Sequence, residues 1–320
     1  MIRTALMLAL VLAMQVAVGE ETHPGAERFV ERAVAEHGLD ADEVRRVLAD
    51  ARYQQSIIDA ITRPAEARPW YRYRPIFITD TRIDAGVEFW RANARLLAEV
   101  SEHFGVPESV IVAIVGVETN FGMITGNFRV IDALATLGFY YPRRADFFAS
   151  ELAHFLRLAS EEDLPVFEVR GSYAGAMGIG QFIPSSYRAY AVDFDNSGRR
   201  DLWRSLPDAL GSVANYLAVH RWQTGAPVAL PAHAPEGVPD GEFGMQLRHS
   251  LAEIAAMGVE FDADGLDPET PATVVALELE DGMEYWIGLN NFYVITRYNR
   301  SPLYAMAVKQ LAAAIDERAQ

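Results

Sequence analysis

Val110-Ile111-Val112-Ala113-Ile114-Val115-Gly116-Val117-Glu118-Thr119-Asn120-Phe121-Gly122 is the stretch from which the rest of the chain can be read. Its first eight residues are apolar at every position, the pattern of a helix buried on all sides. Pro107 suits the first helical turn, where its missing N–H is no loss. Gly122 suits the end, because it accepts a left-handed backbone. Glu118 is then a carboxylate at the unfavourable end of a buried helix. It faces the negative end of the helix dipole, and its charged form is poorly solvated. Both effects raise a carboxyl pKa, as a general acid working near neutral pH requires. A structural Glu that pairs with a nearby Arg or caps a loop fits the same position, and position alone leaves both readings open.

The 320 residues allow one large domain or two to three small ones, and half of them are hydrophobic, enough for a sizeable core. Arg3, the apolar run Ala5 to Ala13 and the small residues Ala17-Val18-Gly19 read as an export signal over 1–19, with the mature chain starting near Glu20. That apolar run is too short for a membrane span. The chain has no cysteine, which removes disulfides, zinc-thiolate sites and thiol nucleophiles together. It also removes the residue that carries the lipid of a bacterial lipoprotein. The expectation is a soluble periplasmic protein with no stable membrane insertion. A net charge of −16 argues against nucleic acid as a partner, since phosphate binding needs a basic face.

Residues 24–62 read as short amphipathic helices, with Asp40 and Glu43 forming a capping box before Val44, Val47 and Leu48. Arg63 to Pro75 reads as a connection. Helical periodicity covers 83–104, then the Glu118 helix, 143–160, 205–221 and Leu303 to Asp316. Proline and glycine crowd 224–242, marking a boundary. Strands are expected within 273–297, around the turn Glu280-Asp281-Gly282. The fold class is mainly α (α+β), helical with one small β subdomain.

A second segment stands out: Gly171-Ser172-Tyr173-Ala174-Gly175-Ala176-Met177-Gly178-Ile179-Gly180-Gln181-Phe182-Ile183-Pro184-Ser185-Ser186-Tyr187. Its glycines let backbone approach another element or a ligand closely. Ile183 stands where a dinucleotide fingerprint has its third glycine, no phosphate-loop Lys is present, and Ser172 is not in a G-x-S-x-G elbow. A tight packing element accounts for the glycines alone; polar Ser172 and Gln181 among them point to a wall lined for a ligand. A third segment, Asp193-Phe194-Asp195-Asn196-Ser197-Gly198-Arg199-Arg200-Asp201, puts oxygen side chains at loop positions 1, 3, 5 and 9 and glycine at 6. That is the calcium pattern of an EF-hand, although Arg204 stands at position 12. An acidic turn without metal is the alternative. There is no HExxH and the His are scattered, so no catalytic zinc is expected.

Val115-Gly116-Val117-Glu118-Thr119 together with the Gly171–Phe182 segment resembles the lytic murein transglycosylase B family. Asp132-Ala133-Leu134-Ala135-Thr136-Leu137, Tyr141-Pro142-Arg143-Arg144, Gly211-Ser212-Val213-Ala214-Asn215-Tyr216 and Tyr298-Asn299-Arg300-Ser301 extend the match from about residue 65 to the C-terminus. The resemblance implies a lysozyme-like core over 105–223, an N-terminal helical domain over 20–104, a small β subdomain over 224–290 and a return to the core over 291–320. It implies cleavage of the β-1,4 bond between N-acetylmuramic acid and N-acetylglucosamine in peptidoglycan, with 1,6-anhydromuramoyl ends. One Glu does the acid–base work in this family, and the match places it at Glu118. The sugar's own C6 hydroxyl replaces water as the nucleophile, and the substrate's N-acetyl group replaces the second carboxylate that most glycosidases need. By the same matching Ser172 and Gln181 contact the sugar beside the cleaved bond, while Tyr73, Tyr216, Tyr298, Asn299 and Tyr304 line the groove. Taken singly, each Tyr reads as ordinary core packing. The family also supplies a later Asp to the calcium loop, here Asp208, so the metal set is Asp193, Asp195, Ser197, Arg199, Asp201 and Asp208 around a structural Ca²⁺. Glycan strands are the implied partner, with cell-wall synthesis proteins as further candidates. A hydrolytic muramidase and a wall-binding protein without turnover are the rival functions, and the ill-placed carboxylate of Glu118 argues against the second.

Overall fold

The helix expected around Glu118 runs over Glu108–Thr119, with every residue from Ser109 to Gly116 buried. Pro107 lies one residue outside it, at the N-cap. The end differs from the expectation, because the left-handed C-cap is Asn120 (φ 50°) and not Gly122. Phe121 (φ 61°) and Gly122 (φ 85°) continue left-handed, and the Gly122 N–H donates to Thr119 Oγ1 at 2.9 Å. The reversal folds the Phe121 ring back over Gly116, where an added Cβ would lie 2.7 Å from a ring carbon. Gly116 is therefore the hole that admits the ring.

The computed structural model describes residues 22–63, 67–235 and 244–320; the export signal read over 1–19 lies outside them. Around the Glu108–Thr119 helix pack Asp80–Ala92, Ala94–Phe104, Leu206–Val219 and Pro302–Ala319. The helix expected over 83–104 is thus two, broken at Asn93, whose side chain donates to the Phe89 carbonyl at 2.8 Å. A second layer pairs Val130–Tyr140 with Ala145–Glu162, and Ala26–His37 and Ala41–Asp50 lie against it. Asp40 caps the latter by accepting the Glu43 N–H at 2.8 Å, but the Glu43 carboxylate turns to Arg46 (3.5 Å), so half of the expected capping box forms. Buried Asp132 ties this layer to the N-terminal helices. It accepts from Arg129, from the Arg52 N–H (2.9 Å) and from Gln54 Nε2 (2.8 Å), while Arg129 also reaches Asp50 (2.6 Å).

Two further sequence readings are corrected. The connection expected over 63–75 contains the helix Trp70–Phe77, with Pro75 near its end. Trp70 and Tyr73, one turn apart, are each 1% exposed, and burying two aromatic side chains outweighs the propensity cost of a late proline. The β region expected to reach 297 stops at Gly288, and Asn290–Tyr298 is a helix. Its β-branched residues read as a strand, yet Phe292 and Ile295 are spaced to bury one helical face. The strands Pro271–Glu278 and Met283–Gly288 form the expected hairpin, with Thr273 opposite Gly288 and Glu278 opposite Met283. They sit within an antiparallel sheet whose order is His249–Ser250, Pro271–Glu278, Met283–Gly288, Ala229–His233, Glu260–Phe261. A small separate core under this sheet holds Leu251, Ile254, Val274 and Ile287; the main core runs from Ala26 to Ile315. Among the described residues no single helix is long and apolar enough to cross a membrane. Among the described residues the fold is mainly α, with this small five-stranded antiparallel sheet and a two-stranded pair, Phe128–Arg129 against Arg170–Gly171.

Candidate active site

Glu118 lies half-buried on the last turn of its helix, and Tyr304 Oη donates to its Oε1 at 2.5 Å. Tyr304 enters from the first turn of the Pro302–Ala319 helix, where Ser301 caps the end by accepting the Tyr304 N–H at 3.2 Å. Burial first, and the Glu118 carboxylate second, push the Tyr304 phenol well above its ordinary pKa. It is therefore a neutral hydrogen-bond donor across the working pH range. Tyr298 is raised in the same way by burial, then Glu118, then Tyr216. Its hydroxyl donates to the Gly180 carbonyl at 2.5 Å. A Cβ on Gly180 would come within 2.9 Å of that hydroxyl, which is why the Gly-rich segment has no side chain there.

The rings of Tyr298 and Tyr304 lie parallel, 5° apart in tilt, with centroids 6.5 Å apart. Tyr216 meets Tyr298 edge-on at 4.8 Å, and its hydroxyl donates to the Arg297 carbonyl. Tyr73 stacks beside Trp70 (6.2 Å) and bears electrostatically on Tyr304. The structure thus brings Tyr73, Tyr216, Tyr298 and Tyr304 together behind Glu118. Asn299 is half-buried just past the Asn290–Tyr298 helix, and its carbonyl accepts the Ser301 N–H at 2.7 Å.

Ser172 and Gln181 lie on the opposite, Gly-rich segment. The segment is a tight meander, in which Gly171 bridges Met177 and Met177 bridges Phe182. Ser172 Oγ accepts from the Ala174 N–H (3.3 Å) and the Ala176 N–H (3.1 Å). Gln181 is held left-handed at φ 51°, and its Nε2 donates to the carbonyls of Thr125 (3.0 Å) and Gly178 (2.9 Å). Both side chains therefore shape the wall that they were expected only to decorate. Among the described residues the Ser172 hydroxyl proton and Gln181 Oε1 make no hydrogen bond of their own. Left-handed non-glycine residues such as Asn120, Phe121 and Gln181 carry backbone strain, which concentrates at functional sites.

Thr119 is the joint that the sequence reading missed. Its Oγ1 donates to the Ile179 carbonyl at 2.8 Å, fixing the Gly-rich meander beside the residue that follows Glu118 in the chain. Asn120 is likewise held, by Arg82 Nε at 3.4 Å. The only signal for Thr119 was its place between Glu118 and a chain reversal, and no local pattern names its partner sixty residues away.

In the acidic loop the carboxylates of Asp193, Asp195 and Asp208 offer oxygens within 4.8 Å of one another. Asp208 is fully buried, with Oδ1 accepting the Phe194 N–H (2.9 Å) and Oδ2 the Asp201 N–H (2.8 Å). Asp193 accepts the Ser197 and Gly198 N–H groups at 2.9 and 2.7 Å. Asp201 is turned away, its Oδ1 accepting from the Trp203 and Arg204 N–H groups, each at 3.0 Å. The Arg199 carbonyl accepts from Ser197 Oγ at 3.2 Å. Three converging carboxylates are a hard-oxygen donor set that suits Ca²⁺.

Residues 21–313 match the Transglycosylase SLT domain family. The membrane-bound lytic murein transglycosylase B of Escherichia coli K12 is 41% identical, over 94% of this chain and 85% of the relative. The chain is a member of the lytic murein transglycosylase B family. Its fold is the lysozyme-like fold of that family. Among solved structures of the family, catenated lytic transglycosylase SltB1 from Pseudomonas aeruginosa superposes with a TM-score of 0.86 at 47% identity, covering 93% of this chain and 98% of that one. Escherichia coli Slt35, crystallised in complex with calcium, gives 0.82 at 40% identity, covering 92% and 94%. Pseudomonas aeruginosa SltB3, crystallised with NAG-anhNAM-pentapeptide, gives 0.75 at 32% identity, covering 91% and 78%. Glu118 of this transglycosylase lies with its aromatic wall on one side and the Gly-rich meander joined to its helix end on the other.

Proposed function

We infer that Glu118 is the single acid–base group of this peptidoglycan lytic transglycosylase. The chain cleaves the MurNAc-β-1,4-GlcNAc bond and leaves 1,6-anhydromuramoyl ends. The observation that carries the assignment of Glu118 is its seat on the last turn of a buried helix, oriented by a phenol at 2.5 Å that stays neutral. Such a carboxyl donates its proton to the glycosidic oxygen. Once charged, it takes a proton from the C6 hydroxyl as that oxygen closes on C1. Tyr73, Tyr216, Tyr298, Asn299 and Tyr304 form the groove side against which the sugar is held, and Ser172 and Gln181 hold sugar oxygens on the other. The substrate is the glycan strand, and the site of action is the periplasm. Mass analysis of muropeptides after digestion tests this: anhydro ends are lighter by one water than the ends a muramidase leaves, and water-containing ends would overturn the reading.

Ser172→Ala and Gln181→Ala are each expected to lower activity several-fold, at about 0.5–1.5 kcal/mol per lost neutral hydrogen bond. The bonds to Ala174, Ala176, Thr125 and Gly178 add a second consequence. Each variant should also melt a few degrees lower, measurable by calorimetry. An unchanged turnover with a lowered melting point would make both residues purely structural.

Asp193, Asp195 and Asp208 hold Ca²⁺, with Ser197 and the Arg199 carbonyl beside them in the loop, while Asp201 caps the turn that follows. The ion neutralises crowded carboxylates, stiffens the loop and takes no part in the proton transfers. A ligand that binds only the folded state stabilises it by about 2.7 kcal/mol at 100 times Kd. Millimolar calcium should therefore raise the melting temperature by several degrees, and chelator should reverse the rise. Asp193→Ala should abolish it, and magnesium should do less because it demands a tighter octahedral shell. A melting curve unmoved by calcium would leave an acidic turn without metal.

A further inference from the structure

Met177 and Phe182 close a four-residue tip in the Gly-rich segment by exchanging both backbone hydrogen bonds, each at 2.9 Å. The Gln181 N–H returns to the Gly178 carbonyl at 3.2 Å. Among the described residues the next two carbonyls, Ile179 and Gly180, accept no backbone N–H. Each is met instead by one hydroxyl, from a different side. Thr119 Oγ1 donates to the first at 2.8 Å, and Tyr298 Oη to the second at 2.5 Å. Thr119 Oγ1 also lies 3.2 Å from the Val115 carbonyl, but the shorter contact takes its single proton. Behind the tip the Ile179 N–H donates to the Leu202 carbonyl at 2.8 Å. A Cβ on Gly178 would come within 2.6 Å of that carbonyl oxygen, so the tip is backed closely as well as gripped from the front.

The two hydroxyls flank Glu118. Thr119 follows it on the same helix, and Tyr298 lies parallel to Tyr304, which donates to its carboxylate. Gln181 ends the tip, half-buried and left-handed at φ 51°. Such a conformation in a non-glycine residue persists only where its surroundings hold it. We propose that Thr119 and Tyr298 are positioning residues for the reaction, a two-point clamp on the Ile179 and Gly180 carbonyls that sets Gln181 at a fixed distance from Glu118. Neither hydroxyl has a proton left for the sugar, so both act through the wall and not on the substrate. A gap fixed from both sides keeps the sugar and the acid in the narrow geometry that proton transfer needs. The clamp rests on the reading of Glu118 as the acid and Gln181 as a sugar contact.

The test is a double-mutant cycle on turnover of purified sacculi. Thr119→Val and Tyr298→Phe each keep the shape of the side chain and remove the hydroxyl. Each should lower kcat several-fold, no further than Gln181→Ala does, and Thr119→Ser should restore most of the loss. Residues that act through one another are not additive, so in the Gln181→Ala background either substitution should cost less than about twofold more. Both variants leave a carbonyl without its donor and should melt lower, so rates are read well below the melting temperature. An unchanged kcat in either single variant, or a loss that adds fully to that of Gln181→Ala, overturns the clamp. Should Thr119→Val fail to fold, the Tyr298→Phe cycle decides alone. Product ends that carry water overturn the transglycosylase reading and leave the clamp standing, because the cycle reads turnover whatever the product.

Discussion

Glu118→Gln is expected to lower the release of anhydro-ended muropeptides by at least about 100-fold, the usual scale of a lost general acid. The substitution keeps the size of the side chain and an oxygen for Tyr304 to donate to, so the groove should hold its shape and the melting temperature should stay near that of the wild type. Tyr304→Phe separates orientation from proton transfer. It removes the 2.5 Å bond to Glu118 but leaves the carboxyl in place, and it should cost about tenfold, since a hydrogen bond to a charged group is worth roughly 1.5–3 kcal/mol and solvent recovers part of it. The order Glu118→Gln far below Tyr304→Phe, read from initial rates on purified sacculi, is the signature of an acid held by a phenol. Near-normal product release by Glu118→Gln would refute the assignment. The reverse order would make Tyr304 the proton donor.

Asp208→Ala should be the most destabilising single change in the acidic loop. Its carboxylate is buried and accepts two short backbone N–H bonds, from Phe194 and Asp201, with a longer third from Asp195 at 3.4 Å. Removing it leaves those donors without their acceptor and withdraws one of the three clustered carboxylates. Charged hydrogen bonds at roughly 1.5–3 kcal/mol each put the loss at about 3–5 kcal/mol. In a chain of this size that lowers the melting temperature by on the order of 10 °C. The calcium response should vanish with it. Asp201→Ala should behave differently, because its side chain caps the following turn and points away from the cluster; calcium should still stabilise that variant. A calcium response intact in Asp208→Ala would place the ion elsewhere, whatever the melting point.

The sequence by itself determined the buried helix and the hairpin and offered the candidate residues for the chemistry. An apolar run between Pro107 and a chain reversal can only be a buried helix, so a carboxylate on its last turn stands out without any structure. The hairpin around Glu280-Asp281-Gly282 was legible for the same reason, since alternation and a turn are local patterns. Local pattern failed where distant burial decides. The Trp70–Phe77 helix exists because Trp70 and Tyr73 are buried by the rest of the molecule, against the local signal of Pro75. Asn290–Tyr298 is helical because Phe292 must enter the space left by Gly288, where an added Cβ would come within 2.6 Å of its ring. The helix stop moved from Gly122 to Asn120 because Thr119 closes the turn with its own side chain.

The same division holds at the site. Glu118, Ser172, Gln181 and the tyrosines could be named from residue type and family pattern. That Tyr304 meets Glu118, that Thr119 joins the Glu118 helix to Ile179, and that Asp208 and not Asp201 meets Asp193 and Asp195 are facts of tertiary structure. Each depends on a hydrogen bond or a convergence between residues far apart in the chain or turned by a neighbouring cap. Spacing along a sequence fixes which way a side chain points within its own element, but which partner it meets is fixed only when the elements pack.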